Sequence, residues 1–588
     1  MIHDESLHRR LTLITIVLLG ISGVLLVRLL SFQFRMNPEI KETLETNAQI
    51  RYSRTVEVQP NRGQIYDRNG HLLAVNSFDY RIGISPNQVY DRQEVARQLA
   101  PLLKRPEDEI YRQLLPDDNG IYPLYVLLAP LVDFETGQAV ADLEIDGILV
   151  EPIPTRIYPQ GPLTAQVVGF FAGSENARER QGYYGVEGYY QLLLAGQSKR
   201  VTQSSIPGLQ EANPTVSVRD GIDLILTIDR DLQYLAQDVL DQAVAEYGAT
   251  GGTILIMNPR TGEILAMANN PNFNLDDLSA EGLQNARNQA ISDMYEPGSV
   301  FKLVTMAMAL EAGTHDLTWS YYDPGCFEAG GVSICNWDRR SHGNPTFAQV
   351  FIDSLNTGTA TIFREMGLDL VYPMLREFGI GSPTGIDLEG EAAGILVTPG
   401  DPNWNEAQFL NNSYGQGISL TPLQMLTAAN AIANDGLIMQ PHIVKARIDG
   451  DQIIETRPSA SHRPISAETA HTARDIMVQI INNPNGVDLF ESPGYTVAGK
   501  TGTAEIPAPY GYEANAAIAS FIGFLPADDP VVSVLIKLDR PAGYWGSQTA
   551  APTFQELVER LVVLMEIPPD SKRMELVSQG GDPFNREY

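Results

Sequence analysis

The segment that decides the fold reads MYEPGSVFKLVTMAMALEAG and covers Met294–Gly313. Pro297 and Gly298 are a turn signal, so a helix is predicted to begin at or just after them. Ser299 and Lys302 are three residues apart, which makes them neighbours on one face of that helix. The residues that follow are apolar almost all round, so this helix is predicted to be buried.

A lysine in such a helix requires a reason. Burial disfavours the charged form and lowers a lysine pKa. A neutral amine beside the Ser299 hydroxyl could activate it as a nucleophile, and free N–H groups at the helix start could stabilise an oxyanion. In the alternative interpretation Ser299 caps the helix and Lys302 extends its amine to water. S-x-x-K alone is too short to decide between the two interpretations.

Length and charge narrow the choice of function. The 588 residues exceed one ordinary domain and predict two or three domains. Hydrophobic residues make up 43% and charged residues 19%, which indicates a folded chain rather than a disordered one. The net charge of −31 argues against nucleic acid as a partner, because that needs a basic face.

The N-terminus predicts a membrane anchor. Leu11–Val27 is free of charge, and the apolar run continues past Arg28, which is enough to span a bilayer over residues 11–32. Basic residues just before the run predict that residues 1–10 are cytoplasmic. No small-residue cleavage site follows, which favours an uncleaved anchor over a removed signal peptide. In both cases the rest of the chain lies outside the inner face of the membrane.

Elements in residues 33–220 are predicted from turns and periodicity. Short strands surround an Asn69-Gly70 hairpin turn. Two helices are separated near Pro106, and a further helix precedes a strand that ends near Pro159. Residues 189–218 are rich in polar and turn-forming residues and are predicted to connect two domains.

Residues 221–567 form a second predicted domain. Gly221 opens a strand and an Asp-capped helix, and a β-hairpin follows around a Pro-Arg-Thr-Gly turn. Three more strands and an amphipathic helix close the domain. Strands at both ends with helices between them indicate an α+β fold, an antiparallel sheet with helices on its faces. The polar residues 568–588 are predicted to be loosely held.

Two cysteines, Cys326 and Cys335, flank a glycine-rich segment. In an exported region a disulfide closing a hairpin and a pair of reduced, buried cysteines are both open possibilities. Two cysteines cannot complete a zinc site, and the histidines show no ligand spacing. No phosphate-binding glycine motif is evident, so neither a metal nor a nucleotide cofactor is predicted.

Two further stretches complete a catalytic pattern. DSLNTG contains Ser354 and Asn356 ahead of a helical segment. VAGKTGTAEI is a predicted strand that carries Lys500, Thr501, Gly502 and Thr503. The glycines of this strand, Gly499 and Gly502, are expected to let a substrate backbone lie close. S-x-x-K, S-x-N and K-T-G in this order are far more specific than any one of them, and they favour the catalytic interpretation of Ser299.

With these motifs the chain resembles the penicillin-binding proteins and serine β-lactamases. The blocks RGQIYDRNG, YYGVEGYYQLLLAG, LTIDRDLQ, MNPRTGEILAMANNPNFN, YEPGSVFK and AGKTGTAE are similar to those of class B penicillin-binding proteins, from the anchor to about Ile567. The resemblance implies a pedestal (dimerisation-type) domain over residues 33–220 and a transpeptidase domain over residues 221–567 built on a five-stranded antiparallel sheet. A class A enzyme would carry a glycosyltransferase domain, and a β-lactamase would lack the pedestal.

The resemblance also implies a role for each residue of the serine element. Ser299 would attack the carbonyl of the penultimate D-alanine of a peptidoglycan stem peptide, and Lys302 would take its proton. Ser354 would bridge the two lysines and relay a proton to the leaving amine. Asn356 would hydrogen-bond the substrate amide.

The K-T-G strand receives the substrate in this interpretation. Lys500 would keep Lys302 neutral and attract the terminal carboxylate, which Thr501 and Thr503 would bind beside Gly502. The N–H groups of Ser299 and Thr503 would form the oxyanion hole. No cofactor is implied. Arg62, Asp67, Arg68 and Glu187 are expected to serve folding, while Trp404 and Tyr544 could line the cleft or belong to the core.

The biological role remains open between related possibilities. YEPGS and SLNTG resemble the division-specific branch more than the elongation-specific one. A D,D-carboxypeptidase, a β-lactamase and a non-catalytic penicillin-sensing scaffold are rival interpretations. The expected partners are stem peptides, β-lactams, the membrane and a multi-pass membrane glycan polymerase.

Overall fold

The computed structural model describes residues 4–35, 53–173, 180–204, 218–275, 278–280, 282–483, 494–508 and 511–584. The chain falls into two compact units: residues 1–60 with 196–220, and residues 61–195 with 221–588. The domain boundaries predicted at residues 32, 220 and 567 are based on sequence motifs and differ from this division into compact units. They stay predictions.

The first unit contains a long apolar helix and a two-stranded sheet. The helix covers Asp4–Arg35, and its segment His8–Ser31 has a mean hydropathy of 2.5 with no part buried. At 24 residues this segment is long enough to cross a bilayer. Strand Ser53–Val58 pairs antiparallel with Lys199–Ser204.

The elements predicted between residues 61 and 195 are present. The strands are Ile65–Tyr66, Leu72–Ile84, Val126–Val132, Ile148–Ile157, Phe170–Ala172 and Gln181–Tyr183. The helices are Arg92–Leu103, Glu107–Gln113, Phe134–Ala141, Ala165–Val168, Gly185–Tyr189 and Gln191–Leu194. Pro106 separates the first two helices, as predicted, because it lacks the N–H that an uninterrupted helix would need.

One mixed sheet of seven strands joins this part of the chain to later residues. Asp223–Leu226 pairs in parallel with Ile65–Tyr66 and antiparallel with Val444–Asp449, beside which Gln452–Glu455 forms the edge. The sheet therefore continues across residue 220, where the sequence predicts a domain boundary.

Buried charges between residues 61 and 195 are paired with one another. Both guanidinium groups of Arg62 and Arg156 bond the carboxylate of Glu187, which is fully buried. The Nε atom of each arginine lies 2.8 Å from a Glu187 oxygen. Buried charges are tolerated only when they are paired in this way. The folding role predicted for Arg62 and Glu187 agrees with these contacts.

The second part is built on a five-stranded antiparallel sheet. Its strands are β1 (Gly251–Met257), β2 (Ile264–Asn270), β3 (Ala498–Ala508), β4 (Gly511–Leu525) and β5 (Val532–Asp539). Their order is β2-β1-β5-β4-β3, so β3 is an edge strand. The predicted α+β fold and its five strands are confirmed.

Helices cover both faces of this sheet. Along β1, Ile254 and Ile256 contribute to one core, whereas Leu255 and Met257 contribute to the other. This alternation is the period of two expected for a strand buried on both faces. Helices Arg230–Tyr247 and Ala550–Leu564 cover one face; the other faces the helices Lys302–Glu311, Pro422–Ala433 and Ala467–Ile481.

The remaining elements of this part are short helices and strands. The helices are Gln289–Ser292, Phe347–Ile352, Asn356–Met366, Leu368–Glu377, Glu406–Asn412 and Asp570–Ser578. The short strands are Cys326–Ala329, Val332–Cys335, Ile395–Leu396, Ile418–Ser419, Ile438–Met439 and Ala460–His462. Helix Asp570–Ser578 lies in the segment that the sequence predicts to be loosely held. That prediction is wrong for this helix, because Arg573 is buried there and bonds Asp528 and Asp570.

Candidate active site

The serine element begins with a tight turn. Gly298 has a φ of +60° and opens a 3-10 turn, Gly298–Phe301, that carries Ser299. The α-helix Lys302–Glu311 follows directly, and Lys302 is fully buried. The predicted start and burial of the helix are therefore confirmed. Glycine suits the first position because other residues rarely adopt positive φ.

A chain of hydrogen bonds joins Ser299 to Lys302 through Ser354. The Oγ atoms of Ser299 and Ser354 are 3.1 Å apart, and Lys302 Nζ lies 3.2 Å from Ser354 Oγ. Lys302 Nζ also donates to the Ser354 carbonyl and to Asn356 Oδ1, both at 2.7 Å. The sequence predicts that Ser299 and Lys302 are neighbours on one face of the helix. Among the hydrogen bonds of the described residues, the two side chains are connected through the hydroxyl group of Ser354.

Local structure holds this bridge in place. Ser354 has a φ of +56°, a left-handed conformation that costs a non-glycine residue energy and often marks a functional position. Asn356 begins the helix Asn356–Met366 and donates from Nδ2 to the Cys335 carbonyl at 2.9 Å. The side chain of Ser354 bonds Ser299 and Lys302; the predicted bridge to Lys500 is not among the hydrogen bonds that the described residues form.

The charge state of Lys302 determines what this chain can do. Burial, and then the nearby charge of Lys500, hold the pKa of Lys302 well below its usual value. An ammonium would donate to all three acceptors around Lys302. A neutral amine has two N–H groups and one lone pair, so one contact must reverse, and the Ser354 hydroxyl is the one partner able to donate. Ser354 would then accept from Ser299, which directs the Ser299 proton towards Lys302.

The K-T-G motif lies on β3, the edge of the sheet. Lys500 is almost fully buried, burial lowers its pKa to about 8, and its Nζ donates to the Thr501 carbonyl at 3.3 Å. Only one side of β3 pairs with another strand of the sheet. The other side faces the serine element, since a Cβ on Gly298 would lie 2.7 Å from the Thr503 carbonyl oxygen.

The role predicted for the glycines of this strand is wrong. A Cβ on Gly502 would lie 2.4 Å from Ser520 Oγ and 2.9 Å from Val300 Cγ1. A Cβ on Gly499 would lie 2.6 Å from the Phe521 ring. The space left by these glycines is occupied by the protein itself rather than by a substrate. Gly502 lets the serine element approach the sheet, and Gly499 accommodates the Phe521 ring of the neighbouring strand.

These elements surround one cavity of about 640 Å³. Five predicted site residues line it: Ser299, Ser354, Asn356, Thr501 and Thr503. Lys302 and Lys500 are buried, and Gly502 lies between the lining residues Thr501 and Thr503 on β3. Tyr544 also lines the cavity, whereas Trp404 donates to Tyr372 and packs against the core.

The hairpin Cys326–Cys335 forms one wall. Cys326 and Cys335 face each other across its two strands and are joined by a disulfide, which decides between the two possibilities that the sequence leaves open. Beneath it, the buried carboxylate of Asp323 accepts from Asn336 Nδ2 at 2.9 Å and from Thr357 Oγ1 at 2.8 Å. Through Asn336 and Thr357 this carboxylate ties the loop after the hairpin to the helix that carries Asn356.

Sequence reasoning missed several residues of the cavity wall. Trp337, Arg339, Tyr414, Gln416, Glu505, Trp545 and Ser547 line it. Trp337 and Trp545 come from different loops, and their rings meet edge to face at 6.1 Å. No periodicity links such positions, because all of them except Glu505 lie in irregular segments. Glu505 was the accessible signal, since it follows the K-T-G motif on the same strand.

Glu296, three residues before the nucleophile, was also missed. Its buried carboxyl group accepts from the Gly417 N–H at 2.9 Å and from the Tyr512 hydroxyl at 3.2 Å. Burial raises its pKa to about 7. These bonds connect the segment before Ser299 to the loop at Gly417 and to the start of β4 at Tyr512.

Two family descriptions match the chain. The one named "Penicillin binding protein transpeptidase domain" matches residues 252–559, which contain the whole cavity. The one named "Penicillin-binding Protein dimerisation domain" matches residues 57–205.

Relatives are similar over most of their length. Stage V sporulation protein D of Bacillus subtilis is 32% identical, with 97% of this chain and 88% of the relative covered. Penicillin-binding protein PbpB of Mycolicibacterium smegmatis is 34% identical over 82% of this chain and 76% of its own. Peptidoglycan D,D-transpeptidase FtsI of Escherichia coli is 28% identical over 90% and 88%.

Solved structures share the fold. Penicillin binding protein 3 of Mycobacterium tuberculosis, complexed with aztreonam, superimposes with a TM-score of 0.66 at 28% identity, with 87% of this chain and 98% of the other covered. Penicillin Binding Protein 2X of Streptococcus thermophilus gives a TM-score of 0.72 at 24% identity, over 86% and 80%. At that identity the second likeness shows the fold alone.

Proposed function

Because this chain belongs to the class B penicillin-binding proteins, we propose that it is a membrane-anchored D,D-transpeptidase that cross-links peptidoglycan stem peptides through an acyl-enzyme on Ser299. The observation that carries this proposal is the hydrogen-bonded chain Ser299–Ser354–Lys302 at the cavity. It connects a hydroxyl group that faces the cavity to an amine whose pKa is lowered well below its usual value.

Acylation follows from this arrangement. Ser299 Oγ attacks the carbonyl of the penultimate D-alanine, and its proton passes through Ser354 Oγ to the neutral Lys302 Nζ. The tetrahedral intermediate collapses when the same path returns a proton to the nitrogen of the leaving D-alanine. An amine of a second stem peptide then attacks the ester carbon and gives its proton to Lys302 by the same path. The C–Oγ bond breaks as this proton returns through Ser354 to Ser299 Oγ, which restores the Ser299 hydroxyl and the neutral Lys302.

The edge strand is proposed to bind the donor. Thr501 and Thr503 line the cavity and would bind the terminal carboxylate beside Gly502, while the charge of Lys500 attracts it. The N–H groups of Ser299 and Thr503 would stabilise the oxyanion. The proximity of Gly298 to the Thr503 carbonyl supports this pairing, because it brings the two backbones together. Asn356 would hydrogen-bond the substrate amide in addition to holding Lys302.

The setting of the enzyme is part of the proposal. Residues 11–32 would anchor the chain in the cell membrane, with residues 1–10 cytoplasmic and the catalytic part outside. Residues 33–220 would form the pedestal, residues 221–567 the transpeptidase domain and residues 568–588 the C-terminal segment. β-Lactams would acylate Ser299. The protein partner would be a multi-pass membrane glycan polymerase. The biological role would be septal wall synthesis during cell division. FtsI and PbpB among the relatives support the last point.

Labelling with a fluorescent penicillin tests the assignment on the full-length protein in detergent. We expect covalent labelling of the wild type, none of Ser299→Ala, and none of Lys302→Ala. The matched control is Ser547→Ala, because Ser547 lines the same cavity outside the hydrogen-bonded chain. Labelling of Ser299→Ala at the wild-type rate would refute the nucleophile, and normal labelling of Lys302→Ala at neutral pH would refute the base.

The fate of the acyl-enzyme separates transpeptidation from related activities. With a stem-peptide donor and a D-amino acid acceptor, we expect transfer of the acyl group to the acceptor. Rapid release of hydrolysed penicillin would identify a β-lactamase, and release of the hydrolysed donor alone would identify a carboxypeptidase. A protein that binds penicillin without acylation would be a sensor or scaffold.

A further inference from the structure

Arg339 places a positive charge at the wall of the reaction cavity. Arg339 and Glu505 are the two charged side chains among the described residues that line the cavity. Arg339 is exposed, and within the described part of the chain its side chain forms neither an ion pair nor a hydrogen bond.

The backbone holds the loop of Arg339 in place. Arg339 has a φ of +57°, a conformation that a non-glycine residue adopts at a cost. Its N–H donates to the Asn336 carbonyl at 3.0 Å, and Asn336 is fixed by the buried Asp323 carboxylate. The loop is therefore positioned by a buried network, and Arg339 on this loop lines the cavity.

We propose that Arg339 is a specificity-determining residue that binds a carboxylate of the donor stem peptide upstream of the scissile bond. The proposal rests on the proposed function, which assigns the terminal carboxylate of the donor to Thr501 and Thr503, two other residues that line the cavity. A guanidinium group presents two parallel N–H donors that match a carboxylate, and it stays charged at any physiological pH. Arg339 therefore fits a second, different carboxylate of the same peptide.

Two positions of a stem peptide could supply that carboxylate. The first is the residue directly upstream of the penultimate D-alanine, and the second is the residue one position further upstream. Both present the same chemistry to Arg339, so the donor substrates must distinguish them. The test uses thioester donors in which thioglycolate replaces the terminal D-alanine and keeps its carboxylate. The four donors carry a free upstream carboxylate at the first position, at the second, at both or at neither, with carboxamides elsewhere.

The measurement is kcat/KM for each donor with the full-length protein in detergent and a D-amino acid acceptor. We expect at least one carboxylate donor to react about threefold to fivefold faster than the neutral donor, as for one partly exposed ion pair. Arg339→Gln should reduce that donor to the neutral rate, and Arg339→Lys should keep part of the preference. The matched control is Arg340→Gln, because Arg340 is the exposed neighbour that does not line the cavity.

Penicillin labelling separates failure of this inference from failure of the proposed function. Labelling of wild type and Arg339→Gln at equal rates, with the donor preference lost only in the variant, would support the role. Equal rates for all four donors in the wild type, or an unchanged preference in Arg339→Gln, would overturn it. Loss of penicillin labelling in Arg339→Gln would also overturn it, because Arg339 would then support the cleft as a whole. A wild type that penicillin does not label would refute the proposed function itself.

Discussion

Gly298→Ala tests whether the close approach of the serine turn to β3 sets the rate of acylation. Gly298 combines a φ of +60° with a Cβ position 2.7 Å from the Thr503 carbonyl oxygen and 3.0 Å from Ala504 Cβ. The first of these neighbours is backbone of a paired strand and cannot rotate away. The added methyl group must therefore push the turn that carries Ser299 away from the strand proposed to complete the oxyanion hole.

The size of the effect has two separate parts. A left-handed backbone costs alanine about 1–2 kcal/mol relative to glycine, and overpacking a tight contact costs about 1–3 kcal/mol more. These terms reduce the free energy of unfolding. Displacement of the nucleophile acts on the rate instead, because a misplacement of about 1 Å can lower a rate about 100-fold. We therefore expect acylation of Gly298→Ala to fall about 100-fold.

The assay is the second-order rate of acylation by a fluorescent penicillin, measured alongside the thermal midpoint of the full-length protein in detergent. Gly379→Ala is the matched control, because Gly379 has a φ of +77° but no neighbouring atom within 4 Å of the position that a Cβ would take. It should lose stability through its backbone and acylate normally. If Gly298→Ala acylates within about twofold of Gly379→Ala, the reasoning about the approach of Ser299 to β3 is wrong.

Two further predictions concern buried charges. Lys500, with a pKa of about 8, is charged below that pH and neutral above it. Penicillin carries a carboxylate, so its rate of acylation should decline as the pH rises through about 8. An unchanged rate between about pH 7 and pH 10 would argue against an electrostatic role of Lys500. Glu187→Gln removes the carboxylate shared by Arg62 and Arg156 and should lower the free energy of unfolding by about 3–5 kcal/mol, measured by denaturant titration. A loss below about 1 kcal/mol would show that the two arginines find other partners.

The sequence predicts those parts of the site that depend on local periodicity. The apolar run after Ser299 predicts a buried helix, and the helix Lys302–Glu311 is buried. The short strands near the C-terminus form β3, β4 and β5, because their alternating or continuous apolar patterns leave few other ways to bury them. Both inferences use residues no more than about a dozen positions apart.

Contacts between distant segments are what the sequence leaves undetermined. The bridge through Ser354 depends on a left-handed residue 55 positions from Ser299, and no pattern announces that conformation. The sequence predicts that the glycines of β3 leave room for a substrate, because it does not show which residues lie next to them. In the fold, Val300 and Ser520 occupy the space beside Gly502. Arg339 and Trp337 join the cavity only because the Asp323 network fixes the loop that carries them.

Buried charge separates the structural residues from the catalytic ones once partners are visible. Arg62 and Arg156 are buried, but each bonds the Glu187 carboxylate, so their charges stabilise the fold. Lys302 and Lys500 are buried as deeply, yet among the described residues neither forms an ion pair with a carboxylate. Burial lowers the pKa of both lysines. The pKa of Lys302 is also lowered by the charge of Lys500, so Lys302 is the one whose neutral amine can act as a base. Buried charges are normally paired, and Arg62 and Arg156 follow that rule. The buried lysines without a paired carboxylate depart from it, and they are the ones that lie at the proposed catalytic site.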